Sequence, residues 1–238
     1  GRRQGTVRVQ NSRNWVGEIE EDLLKPALLS LKEVKTLALS GEEARWLLFL
    51  CPHTRNELQA RGYLGALDYI RWGEQQRTGG RGRVGTRGVP FPQVSSVRSH
   101  RPEWFNLPVR KPGQLVSNRF VGERFGFLIN SGFAISDTFF EISFPTDKDL
   151  YAALLNSTVT FLFVELMGRQ TWTQGVLYLY GPELRELPVP DTSRIPIHLQ
   201  ECIIKAFNKL KRRSVKPIAQ EVKQEDRRAL DAAVLEAL

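Results

Sequence analysis

The clearest periodicities along the chain lie in its C-terminal half. Leu150, Leu154, Leu155, Val159, Leu162, Phe163 and Leu166 recur at three and four, which predicts a helix over 147–168 with Asp147 at its N-cap. Within it, Ala153-Leu-Leu-Asn-Ser reads as packed helix that kinks or ends near Asn156. Leu199, Ile203, Phe207 and Leu210 form one stripe of a helix over 198–212. Leu230, Val234 and Leu238, four apart, mark another over 226–238. The prolines of Leu187-Pro-Val-Pro impose an extended exit before them, so these two helices are expected to pack as a separate hairpin.

Upstream the signals are mixed. Residues 18–39 begin acidic and read as a short helical or extended element interrupted at Pro26. The apolar run 44–51, centred on Trp-Leu-Leu-Phe-Leu, is long enough for one buried strand. Across 54–76, Leu58, Tyr63, Leu64, Leu67 and Ile70 fall near helical spacing behind Thr54, a good N-cap, which predicts an amphipathic helix weakened by Gly62 and Gly65. From 89 to 144 the texture is β-rich: short runs such as Gln114-Leu-Val-Ser-Asn-Arg-Phe-Val and Thr138-Phe-Phe-Glu-Ile-Ser-Phe, separated by Gly, Asn and Ser turns. Residues 176–180 predict a further strand. The expected fold is therefore α+β: a mixed, mainly antiparallel sheet core with packed helices and a C-terminal helical hairpin. Three segments suggest themselves: a connecting helical part over 1–70, a β-rich core over 71–190, and the terminal helices over 191–238.

Charge changes this picture from scaffold to surface. The 238 residues carry 34 Lys+Arg against 26 Asp+Glu, a net charge of +8. Residues 71–124 alone hold eleven positives, ten of them Arg, against Glu74, Glu103 and Glu123, so the whole imbalance sits there and the rest is neutral. Arginine's planar fork suits phosphates and guanine edges, and its concentration points to a polyanionic partner rather than to solubility alone. Within this segment, 77–88 (Arg-Thr-Gly-Gly-Arg-Gly-Arg-Val-Gly-Thr-Arg-Gly) has no periodicity and reads as a basic loop.

Catalytic chemistry is hard to find. There is no Gly-x-x-x-x-Gly-Lys-Ser/Thr, no Gly-x-Ser-x-Gly, and none of the three histidines lies near a nucleophile signature. Cys51 with His53, and His198 with Cys202, each offer two ligands where a structural zinc needs four, so no metal is expected, and Cys202 reads as a small core residue. Glu221-Val-Lys223 has the tail of a nuclease pattern without its upstream Asp, and reads as an exposed charge pair. The two cysteines make no disulfide framework, and a reducing cytoplasm is the simplest compartment. The longest apolar stretch, 158–167, is interrupted by Glu165 and falls short of a membrane span, so no membrane is expected as partner. The basic N-terminus, with no apolar stretch after it, shows no signal peptide and reads as a cut.

Several pieces in order carry a resemblance: Leu24-Lys-Pro-Ala-Leu-Leu, Arg101-Pro-Glu-Trp-Phe-Asn-Leu, Ile135-Ser-Asp-Thr-Phe-Phe-Glu-Ile, Ala153-Leu-Leu-Asn-Ser, Leu184-Arg-Glu-Leu-Pro-Val-Pro and Asp226-Arg-Arg-Ala-Leu-Asp-Ala-Ala-Val-Leu-Glu-Ala-Leu. Together, over roughly 20–238, the chain resembles the C-terminal target recognition region of bacterial N6-adenine DNA methyltransferases. It is most similar to those fused to a nuclease in one restriction–modification polypeptide of the type IIG kind, and more distantly to type I specificity subunits. The resemblance implies duplex DNA as partner, together with a methyltransferase catalytic domain in the same chain or a companion subunit. That absent part would supply S-adenosylmethionine and flip the target adenine. The family's Asn/Asp-Pro-Pro-Tyr/Phe tetrapeptide and its cofactor loop are missing here, and Gly88-Val-Pro-Phe-Pro is no substitute. This fragment is thus expected to be non-catalytic and to hold no cofactor.

Base edges are reached by long polar side chains on loops. Two segments qualify as readers: Arg77, Arg81, Arg83 and Arg87 in the Arg-Gly stretch, and Arg169, Gln170, Thr171, Thr173 and Gln174 between a helix and a strand. Arg98, Arg101, Lys111, Arg119 and Arg124 are candidate DNA contacts, with Arg98, Lys111, Arg119 and Arg124 best placed for phosphates. Trp104 and Phe105 beside Arg101 suggest a strand under the DNA-facing surface, with Trp104 as a core anchor. The rival reading is an RNA-binding or scaffold module that works through the Arg-Gly stretch.

Overall fold

The structure is a computed structural model that describes residues 5–30, 34–41, 45–79, 88–170 and 177–238. Two compact units divide the chain: Gly1–Lys25 with Leu47–Lys111, and Pro26–Trp46 with Pro112–Leu238. As expected, the fold is α+β with small, mainly antiparallel sheets.

The first unit opens with an antiparallel hairpin of β1 (Thr6–Gln10) and β2 (Val16–Glu20), in which Thr6 pairs with Glu20 and Gln10 with Val16. Asn11 shapes the turn: its Oδ1 accepts from the backbone N–H groups of Arg13 and Trp15. Within the run 18–39, a 3-10 turn over Glu21–Leu23 leads into strand β3 (Leu24–Leu28), which holds Pro26. The run 44–51 gives a strand, β4 (Trp46–Phe49), but not a buried one, since Trp46 and Leu47 are exposed and only Cys51 beyond it is fully enclosed.

The single helix expected over 54–76 is two. Thr54 does cap helix α1 (Arg55–Ala60), in a reciprocal box with Glu57. The chain then breaks at Gly62, whose φ of +70° lies in the left-handed region, before helix α2 (Leu64–Gln75). Helix α2 lies so close to β2 that a Cβ on Gly65 would sit 2.0 Å from the Glu18 carbonyl oxygen. The buried Glu20 carboxylate accepts from the Gly65 and Ala66 N–H groups at 3.0 and 2.9 Å, satisfying donors that the helix start leaves free. Ile19, Leu23, Leu58, Leu67, Ile70 and Phe105 fill the core.

Residues 94–113 hold no strand, so the β-rich region starts later than its composition suggested. The segment Arg101-Pro-Glu-Trp-Phe-Asn is a tertiary clasp instead. Glu103 accepts from the Arg55 N–H at 2.7 Å, Phe105 enters the core, and the buried Asn106 donates to the carbonyls of Cys51 and His53. Its aromatics follow contacts that are distant in sequence, which period-2 reasoning does not see.

In the second unit, β5 (Leu115–Asn118) lies between β7 (Phe127–Ile129) and β9 (Phe139–Ile142), antiparallel to both. A second sheet has the order β10 (Arg169–Gln170), β11 (Leu177–Tyr178), β6 (Phe120–Val121). The strand β8 (Ala134–Ile135) pairs in parallel with Ala27 and Leu28 of β3. The expected helix over 147–168 does break at Asn156, into α3 (Lys148–Leu155) and α4 (Thr158–Met167), bent by 64°. Asn156 is buried and explains why: its amide exchanges hydrogen bonds with both the N–H and the C=O of Phe127, extending the sheet edge with a side chain. Ser157 caps α4, whereas Asp147 makes no side-chain cap for α3. No single described helix is long and apolar enough to cross a membrane.

Helix α5 (Gly181–Glu186) precedes α6 (Ile197–Leu210), short α7 (Ile218–Glu221) and α8 (Glu225–Ala237). The α6 stripe Leu199, Ile203, Phe207 and Leu210 is buried as expected, while in α8 Leu230 and Val234 are buried and Leu238 is exposed. Helices α6 and α8 pack against each other as the expected hairpin, not as a separate body: their buried residues join one continuous core with α3, α4 and the β5 sheet. Cys202 faces solvent, because it lies off the buried stripe. Glu221, read as half of an exposed pair, is enclosed with Arg227 and bonded to it at 3.0 Å.

Candidate nucleic-acid interface

In the first unit only the ends of the Arg-Gly tract are described; Arg81, Arg83 and Arg87 lie outside the described residues. The ends form a stem. Arg77 bridges Pro90, the Thr78 N–H donates to the Val89 carbonyl at 2.9 Å, and the Gly88 N–H donates back to Thr78 at 3.0 Å. The Arg77 guanidinium closes it by donating to the Gly88 carbonyl. Arg13, in the β1–β2 turn, donates to the Arg77 carbonyl and stands 4.8 Å over the Phe91 ring. Sequence reasoning missed Arg13, since it lies outside the basic segment; its position in an Asn-Ser-Arg-Asn turn was the available signal. Arg98 and Arg101 are exposed, and Arg101 uses one nitrogen on the carbonyls of Arg98 and His100. Lys111 is exposed at the end of this unit.

Two of the three acidic residues in the basic segment are held by a cation from outside it. Arg55 contacts Glu74 at 2.6 Å and Glu103 at 3.6 Å. By contrast Arg71, Arg77, Arg98, Arg101, Arg110, Lys111, Arg119 and Arg124 form no ion pair with a described carboxylate. The first six belong to one unit and Arg119 and Arg124 to the other.

In the second unit the β10–β11–β6 register sets one row across the sheet: Arg169 opposite Tyr178, and Tyr178 opposite Phe120. Leu177 and Val121, one residue along, point the other way and are buried. The outward row is aromatic and basic. Phe120 packs edge-on to Tyr178 at 4.6 Å, Tyr178 stacks with Tyr180 at 5.9 Å, and the Arg169 guanidinium lies 5.6 Å over Tyr180. Phe120 and Tyr180 are exposed, and neither they nor Tyr178 stood out in the sequence, because only strand pairing puts them side by side.

Arg169 is half committed to the fold. It bonds Glu183 at 2.5 Å, yet its side chain keeps 64% exposure. The Glu183 carboxyl is held below its ordinary range, first by its own backbone N–H at the start of α5 and further by Arg169. Gln170 is exposed beside it, and Thr171, Thr173 and Gln174 lie outside the described residues. Arg119 lies over Phe140 at 4.8 Å with its Nε buried, and Arg124 donates to the Val34 carbonyl at 3.3 Å, so both are partly fixed by the scaffold. Among the described residues no group of three or more His, Cys, Asp or Glu is arranged to hold a metal.

Comparison with known proteins agrees with this architecture. The solved type IIG restriction endonuclease BpuSI is similar in fold, with a TM-score of 0.54 at 17% identity over 92% of this chain. The chain spans 27% of the length of that protein. No curated protein matches. Residues 94–230, more than half of the chain, match the family of the C-terminal domain of the type II methyltransferase M.Eco57I. The resemblance carried by the Trp-Phe-Asn, Leu-Leu-Asn-Ser and terminal helix motifs is thereby accounted for: this chain belongs to the M.Eco57I C-terminal domain family of type II methyltransferases.

Proposed function

We propose that this chain is the DNA sequence-recognition part of a larger N6-adenine methyltransferase of a restriction–modification system. It grips and orients duplex DNA, while a catalytic domain outside this chain binds S-adenosylmethionine and transfers the methyl group. The chain itself is non-catalytic on this reading. The observation that carries it is the unpaired charge of residues 71–124, whose described cations meet no carboxylate while Arg55 removes Glu74 and Glu103 from opposition. Arg98, Arg101 and Lys111 then act on phosphates, with Arg77 at the stem of the Arg-Gly tract, Arg169 on the outward sheet face and the exposed Gln170 next to it in the chain as candidate readers. The exposed aromatic row beside Arg169 adds stacking surface to charge.

The test is a gel-shift titration of the 238-residue chain with duplex DNA at several salt concentrations, with RNA as competitor. Affinity is expected to fall steeply and linearly on a logarithmic salt scale, as counterion release requires. Binding that RNA displaces and duplex DNA does not would favour the RNA module instead.

A further inference from the structure

A second feature of the first unit lies beside the exposed arginines Arg98 and Arg101. Between β4, α2 and the 91–107 segment is an open cavity of about 300 Å³, at the lower end of the roughly 300–1,000 Å³ typical of small-molecule pockets. Its lining is dominated by rings: Phe49, Tyr69, Trp72, Phe91, Trp104 and Phe105. Tyr69 and Trp72 lie nearly parallel, 9° apart, with centroids at 5.5 Å. Trp104 packs against the bare face of Gly73, where a Cβ would meet it at 2.9 Å.

One polar group in this aromatic lining lacks a partner. The Trp104 indole N–H is buried with no acceptor. His100 also lines the cavity, and its Nδ1 lies 3.0 Å from the Trp104 carbonyl. A carbonyl only accepts, so that nitrogen carries the proton, and in the neutral ring Nε2 is left as an acceptor. The lining residues thus carry one enclosed, unpartnered donor and one ring nitrogen able to accept. A buried donor left unsatisfied in a fold calls for a ligand or another explanation.

The surroundings select the ligand class. Arg98 lies in the chain between the lining residues Val97 and His100, Arg101 is bonded to the His100 carbonyl, and Arg13 covers the lining Phe91. Of the acids next in sequence to lining residues, Glu74 and Glu103 are taken by Arg55, and Asp68, beside Tyr69, is exposed. A flat ring with donors and acceptors along its edge, attached to a phosphate chain, complements both the walls and the charge. We propose that this cavity binds an unstacked nucleobase, with its ring among Tyr69, Trp72 and Trp104 and its edge on His100 Nε2 and the Trp104 N–H. This rests on the reading of the chain as DNA-binding and adds that one base leaves the stack at this unit.

The test follows the Trp104 indole resonance of the ¹⁵N-labelled 238-residue chain, assigned by its loss in Trp104→Phe. A six-nucleotide single strand is compared with an abasic strand of equal length, which keeps sugars and phosphates but lacks bases. The base-containing strand should shift the resonance saturably and bind at least about tenfold tighter, as expected for one base stacked on aromatics. Leu107→Trp, which fills the cavity, and His100→Ala should each remove that difference. Equal effects of the two wild-type titrations, or no shift, would overturn the proposal, as would a preference that survives both variants. A shift produced by a tryptophan-containing peptide and not by the strand would also overturn it, and would make the cavity a protein-docking site. Duplex binding by the unaltered chain is measured separately by gel shift, so failure there sinks the recognition reading without altering the base-against-abasic result.

Discussion

In the C-terminal helices Arg213 and Arg227 are committed to Glu221 and Asp226 at 2.5 to 3.0 Å, and Arg227 and Glu221 are almost wholly enclosed. In residues 71–124 the described arginines meet no described carboxylate and mostly face solvent. The buried set is self-cancelling. Burial pushes the Glu221 carboxyl upward, but hydrogen bonds from Arg213, the Lys216 N–H and Arg227 more than offset it, and the net direction is down. Arg213 holds the Asp226 carboxyl below its ordinary range, and burial lowers the Arg227 guanidinium. Charge counted in a sequence is therefore not charge presented to a partner. What reaches outward is the remainder after the fold has paired its own groups, and in the described part of the central segment that remainder is strongly positive.

The largest expected effect breaks the buried side of this contrast. Glu221→Leu leaves Arg227 enclosed without its carboxylate and should cost about 3–5 kcal/mol, read as a lower urea midpoint by circular dichroism. A wild-type stability unchanged by this substitution would mean that the helices do not depend on the pair.

Acid sharpens the same point. Glu221 and Asp226 have lowered folded values, so their contribution is complete above the unfolded carboxylate range and lost as pH falls through the folded values. Thermal unfolding followed downward from about pH 5, just above the unfolded carboxylates, should show a progressive loss that is smaller in Glu221→Leu.

On the exposed side the expectations invert. The double substitution Arg98→Ala, Arg101→Ala should leave stability within about 0.5 kcal/mol. In gel shifts it should lower duplex affinity and reduce the salt slope by roughly one for each phosphate no longer neutralised. An unchanged slope would remove these residues from the interface.

Arg169→Met probes the intermediate case, a mostly exposed guanidinium that is also bonded to Glu183. It should change unfolding far less than Glu221→Leu, and its effect on binding should depend on DNA sequence if Arg169 reads bases, or be uniform if it holds phosphate. Selection of preferred sites from random duplexes separates the two outcomes.

Elements whose stabilising contacts are near in sequence were legible before the structure. The Thr54 cap and the buried α6 stripe each follow from spacing within a few residues. Glu221 was misread because its partners Arg213 and Arg227 lie on either side of a turn, and nothing in a linear pattern distinguishes an enclosed carboxylate from a solvated one. Trp104 and Phe105 were misassigned to a strand because Arg55, Cys51 and Gly73, which position their segment, lie some 30 to 55 residues away. Phe120, Tyr178 and Tyr180 went unnoticed because three strands distant in sequence set that row.

By itself the sequence determined the α+β class, the family motifs and the place of the excess positive charge, since composition and short-period patterning are local properties of the chain. Only the tertiary structure decided which charges remain unpaired, which rings share a face or a cavity, and which polar groups are enclosed. Those outcomes depend on distances between segments far apart in the chain, and burial changes the cost of a charge or a free N–H far more than any neighbour in sequence does.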